Sequence, residues 1–542
     1  MCGILCLIQY GGKSVDVQKS CECLDQLNAR GPDKQNYKIV KVNSNVEVFM
    51  GFTRLAIMDT TDAGLQPFEL NDNYVICNGE IYNYKQLAEA HAIKMKTDCD
   101  CEVILPLYEQ LGFLNMIKQL DAEFAMIFLD NQKKFINVAR DRYGVRPLYY
   151  GYNKITKMVG FASELKALHP IMEFVEQIRP EQMVTVDFQV CRENFIDSVC
   201  FSPYYSYQNL VADPNLTDLD YIHKQINILL TDAVRKRLYA DKPIAFLLSG
   251  GFDSSIIVSI ATRILGPENI VCFSTGVDGS PDVEAAKVVV EYLGIKQHHI
   301  VPFSVKQGLA ELPNVIECIE TYDVTTTRAS TPQYTLCKDI NEKTNIRVLL
   351  SGEGSDEISG AYRYFRDAPN SEEFHRERVR LAEELCYFDN QRTDRSMAGN
   401  GLEVRVPFLD FAYVEFIMKI NPLLLMFRPG QMEKQIIRDS FKGYLPDEIL
   451  YRSKEAFSDA VSNNEVNWAK SIQSVAEKEI TDEELANNGF EINTPMTKDA
   501  LYFRRIFNQY YPGRDNVIPH YWLPKFQKEV VWDPSARVLK CY

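Results

Sequence analysis

The chain has 542 residues, with 59 Lys and Arg against 74 Asp and Glu, a formal charge of −15. At roughly 150 residues per domain that length predicts two to four domains, and 46% hydrophobic with 25% charged residues is a globular balance. An acidic chain has no electrostatic ground for holding nucleic-acid phosphates, and apolar runs such as 124–129 and 244–248 fall far short of the ~20 residues of a membrane helix, so neither partner is expected.

The start, Met1-Cys2-Gly3-Ile4-Leu5-Cys6-Leu7-Ile8, lacks the basic region and cleavage site of a leader and reads as a buried strand. Residues 46–58 are apolar and β-prone. Residues 74–77 run into Asn78-Gly79, which predicts a turn, and 124–130 with 135–140 flank Asn131-Gln132-Lys133-Lys134, which predicts a hairpin. This half is α+β, rich in antiparallel strands. The polar, Pro- and Asn-containing stretch 202–218 predicts a linker. Beyond it Ile222, Ile226, Leu229, Leu230, Ala233 and Val234 recur at helical spacing. A strand at 243–248, a helix at 254–265, a strand at 269–275, a helix at 282–293 and a strand at 299–303 follow. That alternation predicts a doubly wound parallel sheet. The expected domains are 2–205 and 215–542.

The 14 cysteines run from Cys2 to Cys541. A chain of this size needs no disulfide framework, so the expected compartment is reducing and cytoplasmic. The C-x-C pairs Cys21/Cys23 and Cys99/Cys101 have no second pair at zinc-finger spacing. Cys2 becomes the first residue if Met1 is removed, and a thiol beside a free α-amine needs no histidine as base. Only His91 and His169 fall in the first 200 residues. On position alone, Cys2 reads as a buried strand cysteine. Its company says more. Met1-Cys2-Gly3-Ile4, Arg30-Gly31-Pro32-Asp33, Arg54-Leu55-Ala56-Ile57, Gly64-Leu65-Gln66-Pro67, Asn78-Gly79-Glu80-Ile81-Tyr82-Asn83, Arg140-Asp141 with Gly144, and Ala162-Ser163-Glu164-Leu165-Lys166 come in order. Together they resemble the N-terminal-nucleophile glutaminase domain of class II glutamine amidotransferases.

That resemblance implies an αββα sandwich with Cys2 as nucleophile. It implies a glutamine site from Arg54, Leu55, Ala56, Ile57, Met58, Asn78, Gly79, Glu80 and Asp100. A guanidinium such as Arg54 suits an α-carboxylate, and Glu80 and Asp100 suit an α-ammonium. The tetrahedral oxyanion formed by thiolate attack needs preorganised donors, which the family places at Asn78 and Gly79. Ala29 and Tyr84 stand where many relatives carry His, and the expected effect is on glutamine affinity or rate.

In the second half, Leu247-Leu248-Ser249-Gly250-Gly251-Phe252-Asp253-Ser254-Ser255 is a strand, a glycine turn and a helix start. Adjacent glycines let backbone N–H groups converge on an anion, with Ser hydroxyls and a helix N-terminus adding to them. The pattern is neither a P-loop nor the dinucleotide fingerprint. It matches the Ser-Gly-Gly-x-Asp-Ser-Ser pyrophosphate loop of the ATP pyrophosphatase superfamily, with Phe252 in place of the usual Leu. Thr325 to Ser330, Leu350-Ser351-Gly352-Glu353-Gly354-Ser355-Asp356-Glu357, Leu402 to Asp410, Met432-Glu433-Lys434, and a tail with Asp533-Pro534-Ser535-Ala536-Arg537 follow. These resemble the synthetase domain of glutamine-hydrolysing asparagine synthetases, over nearly the whole chain.

By that resemblance Leu247, Ser249, Gly250, Gly251, Ser254, Ser255, Thr275, Ser351 and Gly352 bind ATP. Asp253 and Asp356 face Mg²⁺ and the pyrophosphate, and Lys434 steadies the phosphate charge. Thr325 and Arg328 take the aspartate α-carboxylate, and Glu353 takes a proton from the attacking ammonia. Glutamine, aspartate and ATP are the implied small-molecule partners, and a homodimer is left open. Two other readings stay in play: a related amidotransferase that adenylates a different carboxylate, and a non-catalytic relative.

Overall fold

The computed structural model describes residues 1–189, 194–453, 461–463, 467–527 and 532; the tail motif at 533–537 lies outside them. The chain divides into two compact units. The first is Met1–Ser206 with Ala240–Lys242 and Ala398–Glu403, and the second is Tyr207–Tyr239, Pro243–Met397 and Val404–Tyr542.

The first unit is built on two six-stranded sheets. One holds β1 (Gly3–Tyr10), β2 (Lys34–Lys41), β3 (Val46–Arg54), β8 (Tyr149–Asn153), β9 (Met158–Ala162) and β10 (Phe174–Gln177), in the order β10-β8-β9-β1-β3-β2. The other holds β4 (Phe68–Leu70), β5 (Asn73–Ile81), β6 (Ala122–Asp130), β7 (Phe135–Arg140), β11 (Gln182–Asp187) and β12 (Val199–Pro203), in the order β12-β11-β7-β6-β5-β4. The strand pairs are antiparallel. Side chains alternate across each sheet, and both faces are used. Ile4, Cys6, Ile8, Ile76, Ala125, Ile127 and Leu129 share the core between the sheets. Val75, Cys77, Phe124, Met126 and Phe128 pack outward against the helices Tyr84–Ala90, Ile104–Leu111 and Phe113–Gln119. Helix Val17–Asp25 covers the outside of the first sheet through Cys23 and Leu24. These layers make the αββα sandwich, and they explain why β1 is apolar at nearly every position: it is covered on both sides.

One expectation is corrected here. Asn78-Gly79 is not a turn. It lies inside β5, opposite Ala125 and Phe124 of β6. Glycine is required at 79 because a Cβ there would sit 2.4 Å from the Glu123 carbonyl oxygen. The turn comes earlier, at Asn71 and Asp72, whose φ values of 50° and 59° join β4 to β5. The 131–134 hairpin turn forms as expected, with Asp130 opposite Phe135.

The polar stretch 202–218 is ordered: it ends β12, passes through the short helix Tyr207–Asn209, and closes with Asp218 accepting from the Tyr221 N–H at 3.1 Å. That N-cap starts the helix Leu219–Lys236, which buries Ile222, Ile226, Leu230, Ala233 and Val234. The second unit carries a five-stranded sheet of β13 (Ile244–Leu247), β14 (Val271–Gly276), β15 (Gln297–Pro302), β16 (Val348–Leu350) and β17 (Glu403–Arg405), ordered β15-β14-β13-β16-β17. The pairs β13/β14, β13/β16 and β14/β15 are parallel. Strand order reverses between β13 and β16, and such a reversal opens a crevice at the strands' carboxyl ends. No helix among the described residues is long and apolar enough to cross a membrane. All twelve cysteines among the described residues are free.

Candidate active sites

In the first unit the ordered motifs frame the start of β1. The Arg30 Nε donates to the Cys2 carbonyl at 2.9 Å, and its Nη1 pairs with Glu164 at 2.6 Å. Ser163 fixes the next residues, its Oγ accepting from the Ile4 N–H at 3.0 Å. Gly31 is forced, since a Cβ would fall 2.2 Å from the Thr53 carbonyl carbon. Asp33 accepts from the Ala56 N–H at 2.8 Å, and the Cys2 thiol points at the Leu55 carbonyl, 3.8 Å away. Cys2 is half-buried against the core between the sheets. Burial pushes its thiol up to about 11, opposed by the nearby N-terminal charge, and pushes the Met1 α-amine down to about 6.

Asn78 also belongs to β5, and its side chain is 1% exposed with neither Oδ1 nor Nδ2 paired within the protein. A buried amide without partners costs about 1–3 kcal/mol, which a ligand in need of a donor can recover. Asp100 is buried beside the end of the same strand and accepts from the Ile81 N–H at 2.6 Å; Glu80 is buried one residue before that N–H. Arg54 is turned to its own loop. Its guanidinium donates to the carbonyls of Met58, Asp59 and Thr61, and a Cβ at Gly64 would lie 2.3 Å from its Nη2.

In the second unit a cavity of about 250 Å³ opens at the carboxyl ends of β13, β14 and β16. Leu247, Ser249, Gly251, Asp253 and Ser254 line it from the glycine turn, Thr275 from β14, Thr325 from a helix start, Ser351, Gly352 and Glu353 from the loop after β16, and Asp356 from the short helix Ser355–Ser359. The turn is closed on itself: Ser249 and Ser254 hydroxyls meet at 3.0 Å, and the Ser249 N–H donates to Ser254 Oγ at 3.1 Å. Gly250 has φ +73° and no room, a Cβ there falling 2.5 Å from the Ala286 nitrogen. The two loops touch at Gly352, where a Cβ would be 2.8 Å from the Ser254 nitrogen. The Thr275 and Thr325 hydroxyls are buried without a partner at the cavity wall.

Lys434, buried and in a left-handed conformation with φ 58°, places its Nζ 2.6 Å from both Asp253 and Asp356. Burial pushes its pKa down while Asp253 holds it up. Two carboxylates that share one ammonium are also close enough to share a hard cation on their ligand side, and their oxygens are the donors Mg²⁺ prefers.

The first 200 residues match the glutamine amidotransferase domain family, and residues 225–383 and 366–522 match the asparagine synthase family. A probable glutamine-hydrolysing asparagine synthetase of Acanthamoeba polyphaga mimivirus is 59% identical over 99% of this chain and 100% of its own. The glutamine-hydrolysing asparagine synthetases of Gallus gallus and Homo sapiens are 37% and 35% identical over 100% of this chain and 99% of theirs. The chain belongs to the glutamine-hydrolysing asparagine synthetase family. Among solved structures, the allosteric regulatory enzyme of purine biosynthesis matches with a TM-score of 0.32 and 16% identity, over 55% of this chain and 80% of that one.

The residues expected to act fall into two groups. Asn78 and Glu80 lie on β5 with Asp100 hydrogen-bonded to its end at Ile81, Cys2 leads into β1 and packs on the core between the sheets, and the nucleotide-side residues named above line one cavity. Gly250, Ser255 and Lys434 lie behind its wall as support. Arg328 stands apart from the lining, its guanidinium paired with Asp499 and its carbonyl accepting from Trp468 Nε1 at 2.9 Å. Glu357, present in the Leu350–Glu357 motif but given no role, and Tyr362, Asp389 and Arg392, which the sequence did not single out, also line the cavity. Arg392 joins Glu353 to Asp389, and burial with the Asp389 charge holds the Glu357 carboxyl far above the usual carboxylate range. A signal existed. Helix Asp389–Ala398 is polar almost throughout, yet Asn390, Gln391, Thr393, Asp394 and Arg395 are all buried.

Proposed function

We propose that this chain makes L-asparagine from L-aspartate, L-glutamine and ATP, with glutamate, AMP and pyrophosphate as the other products. The observation that carries the reading is the placement of unpartnered buried polar groups in both units: the Asn78 amide on β5, and the Thr275 and Thr325 hydroxyls at the cavity. Each is a donor site left unfilled by the fold, and each belongs to a motif expected to meet substrate.

In the first unit, removal of Met1 gives Cys2 its own α-amine. The amine takes the thiol proton, and the sulfur attacks the glutamine side-chain amide carbon. Asn78 and Gly79 stabilise the oxyanion, the amine returns the proton to the departing ammonia, and water then hydrolyses the thioester to glutamate. Glu80 and Asp100 suit the glutamine α-ammonium. Arg54 shapes the 58–64 loop, and its further role is on the α-carboxylate.

In the second unit, the Ser249 to Ser254 turn cradles the phosphates, and the aspartate β-carboxylate displaces pyrophosphate from the α-phosphorus to give β-aspartyl-AMP. Mg²⁺, held by Asp253 and Asp356, would neutralise phosphate charge. Ammonia from the first reaction attacks the acyl carbon, Glu353 takes its proton, and AMP leaves.

The test is incubation of the pure protein with ATP, Mg²⁺, amide-¹⁵N glutamine and a panel of amino-acid carboxylates, with products identified by mass. Labelled asparagine with stoichiometric AMP and pyrophosphate is expected. Amidation of another acid in preference to aspartate would move the chain to a different specificity, and glutamine hydrolysis without AMP would remove the synthetase half of the reading.

A further inference from the structure

The glutaminase unit holds a second group of thiols that the proposed chemistry does not use. Cys99 and Cys101 flank Asp100, and the three donor atoms lie within 4.8 Å of one another with all three side chains buried. The Cys99 Sγ is 3.9 Å from one Asp100 oxygen and the Cys101 Sγ is 3.9 Å from the other. Cys77 of β5 lies next to the group, its thiol in interaction with that of Cys101, while only Cys99, Asp100 and Cys101 hold their donor atoms within 4.8 Å of one another. All four residues are at most 6% exposed.

We propose that Cys99, Asp100 and Cys101, with the neighbouring Cys77 thiol turning in as the fourth donor, form a site for one thiophilic divalent cation, Zn²⁺ or Cd²⁺, and that filling it inhibits glutamine use. Three sulfurs and one carboxylate oxygen are a tetrahedral donor set for such an ion. With metal–sulfur bonds of about 2.3 Å, a sulfur–sulfur edge of that tetrahedron is about 3.8 Å, inside the 4.8 Å that already encloses the Cys99, Asp100 and Cys101 donor atoms. Binding replaces two or three S–H protons with the cation, and the protons go to solvent. The C-x-C spacing on a single turn, from Cys99 into the short helix Asp100–Val103, presents both thiols on either side of the carboxylate.

The inhibition follows from Asp100. Its carboxylate now accepts from the Ile81 N–H at 2.6 Å and, on the reading above, meets the glutamine α-ammonium. A cation in the thiol group draws that charge away from the substrate. Synthesis from free ammonium, which needs no glutamine site, is untouched. The inhibition arm rests on the proposed glutaminase; the binding arm does not.

The experiment uses full-length chain with Cys2→Ala, so that the nucleophile binds no metal, titrated with CdCl2 after chelator treatment. Thiolate-to-cadmium absorption and equilibrium dialysis are expected to report one cation per chain, weakened at least tenfold by Cys99→Ser and by Cys77→Ser. In chain with Cys2 intact, ZnCl2 is expected to suppress glutamine-dependent but not ammonium-dependent synthesis, and Cys99→Ser to relieve that suppression. Ammonium-dependent synthesis reports that each variant has folded. Cadmium bound equally by the parent and both serine variants would overturn the site. One cation bound with undiminished glutamine use would overturn the inhibition while leaving the site.

Discussion

Arg392 Nη2 holds the Glu353 carboxylate at 2.5 Å and the Asp389 carboxylate at 2.7 Å from the same nitrogen. Glu353, at the cavity wall, is therefore aimed by a buried cation whose own charge is shared with a second acid. Replacing Glu353 by Gln keeps an acceptor for Arg392 and the side chain's size while removing its ability to take a proton. We expect Glu353→Gln to fold, to keep glutaminase activity, and to lose asparagine formation by about 10²–10⁴-fold, the span of general-base effects. Exchange of labelled pyrophosphate into ATP with aspartate and no nitrogen source locates the lesion. Exchange that survives places Glu353 after adenylation, whereas asparagine made at the parent rate would leave it no chemical role.

Cys2→Ala is expected to abolish glutamine-dependent synthesis and preserve synthesis from ammonium salts, measured by asparagine formed from each donor. An extension that keeps Cys2 from becoming the first residue should behave the same way, because an amide nitrogen cannot serve as base. Glutamine hydrolysis at the parent rate in Cys2→Ala would assign the nucleophile elsewhere.

Asn78→Ala separates function from stability. The amide has no partner in the folded chain, so its loss should leave the urea midpoint unchanged or raise it, within about 1 kcal/mol. Glutaminase kcat should fall about 10²–10³-fold, as when one oxyanion donor is removed. A stability loss with unchanged kcat would make Asn78 a packing residue.

The two adjacent glycines should respond differently. Gly250 has φ +73°, and a Cβ added there would fall within 2.7 Å of backbone atoms, whereas Gly251 has φ −73° and a Cβ there would meet only the Ser249 hydroxyl, at 3.4 Å. Gly250→Ala is expected to cost about 1–2 kcal/mol from the left-handed backbone alone, with the overlap adding to it, and to lose pyrophosphate exchange. Gly251→Ala should leave stability within about 1 kcal/mol of the parent. Urea unfolding of both variants checks the contrast.

His375 predicts a pH dependence. Its Nε2 is 2.7 Å from the Leu210 carbonyl and its Nδ1 faces the Arg378 guanidinium at 3.4 Å. Burial, with Arg378, pushes its pKa from 6.5 down to about 4. The unfolded chain therefore binds the extra proton first, so this group's stabilisation is complete above pH 6.5 and is lost as pH falls from 6.5 towards 4. The difference in Tm between the parent and His375→Gln should narrow over that window. A constant difference would mean that His375 has the same pKa in the folded and the unfolded chain.

What the sequence showed and what it hid divide along physical lines. The helix Leu219–Lys236 was legible because burying one face imposes a helical period, and strand β1 because cover on both sides demands an unbroken apolar run. The glycine turn was legible because a left-handed backbone with no room for a Cβ leaves only glycine at position 250. Asn78-Gly79 misled because the same pair that makes a hairpin also allows a close strand contact, and only the Glu123 carbonyl distinguishes them. Arg54 reads as a ligand-binding cation by its charge and its motif, and what the motif did not announce is that its guanidinium also donates to three carbonyls of its own loop. Arg392 and Asp389 were hidden because a polar helix reads as a solvated one until something else is known to cover it.

Strand β5 pairs with β6 at nine consecutive positions, from Asn73 with Asp130 to Ile81 with Ala122. The connection between them, residues 82–121, is too long to set that register, so the alternation of buried side chains sets it. Even positions, with Ile76 and Asn78, face the interior shared with Cys2, and odd positions, with Cys77, face the helices. Asn78 and Cys77 are thus sequence neighbours separated by the thickness of a sheet. Loss of a single codon before residue 77 would exchange them, carrying a second thiol into the nucleophile's chamber and the amide out of it. The strand works as a partition, and its frame decides which side chains face Cys2.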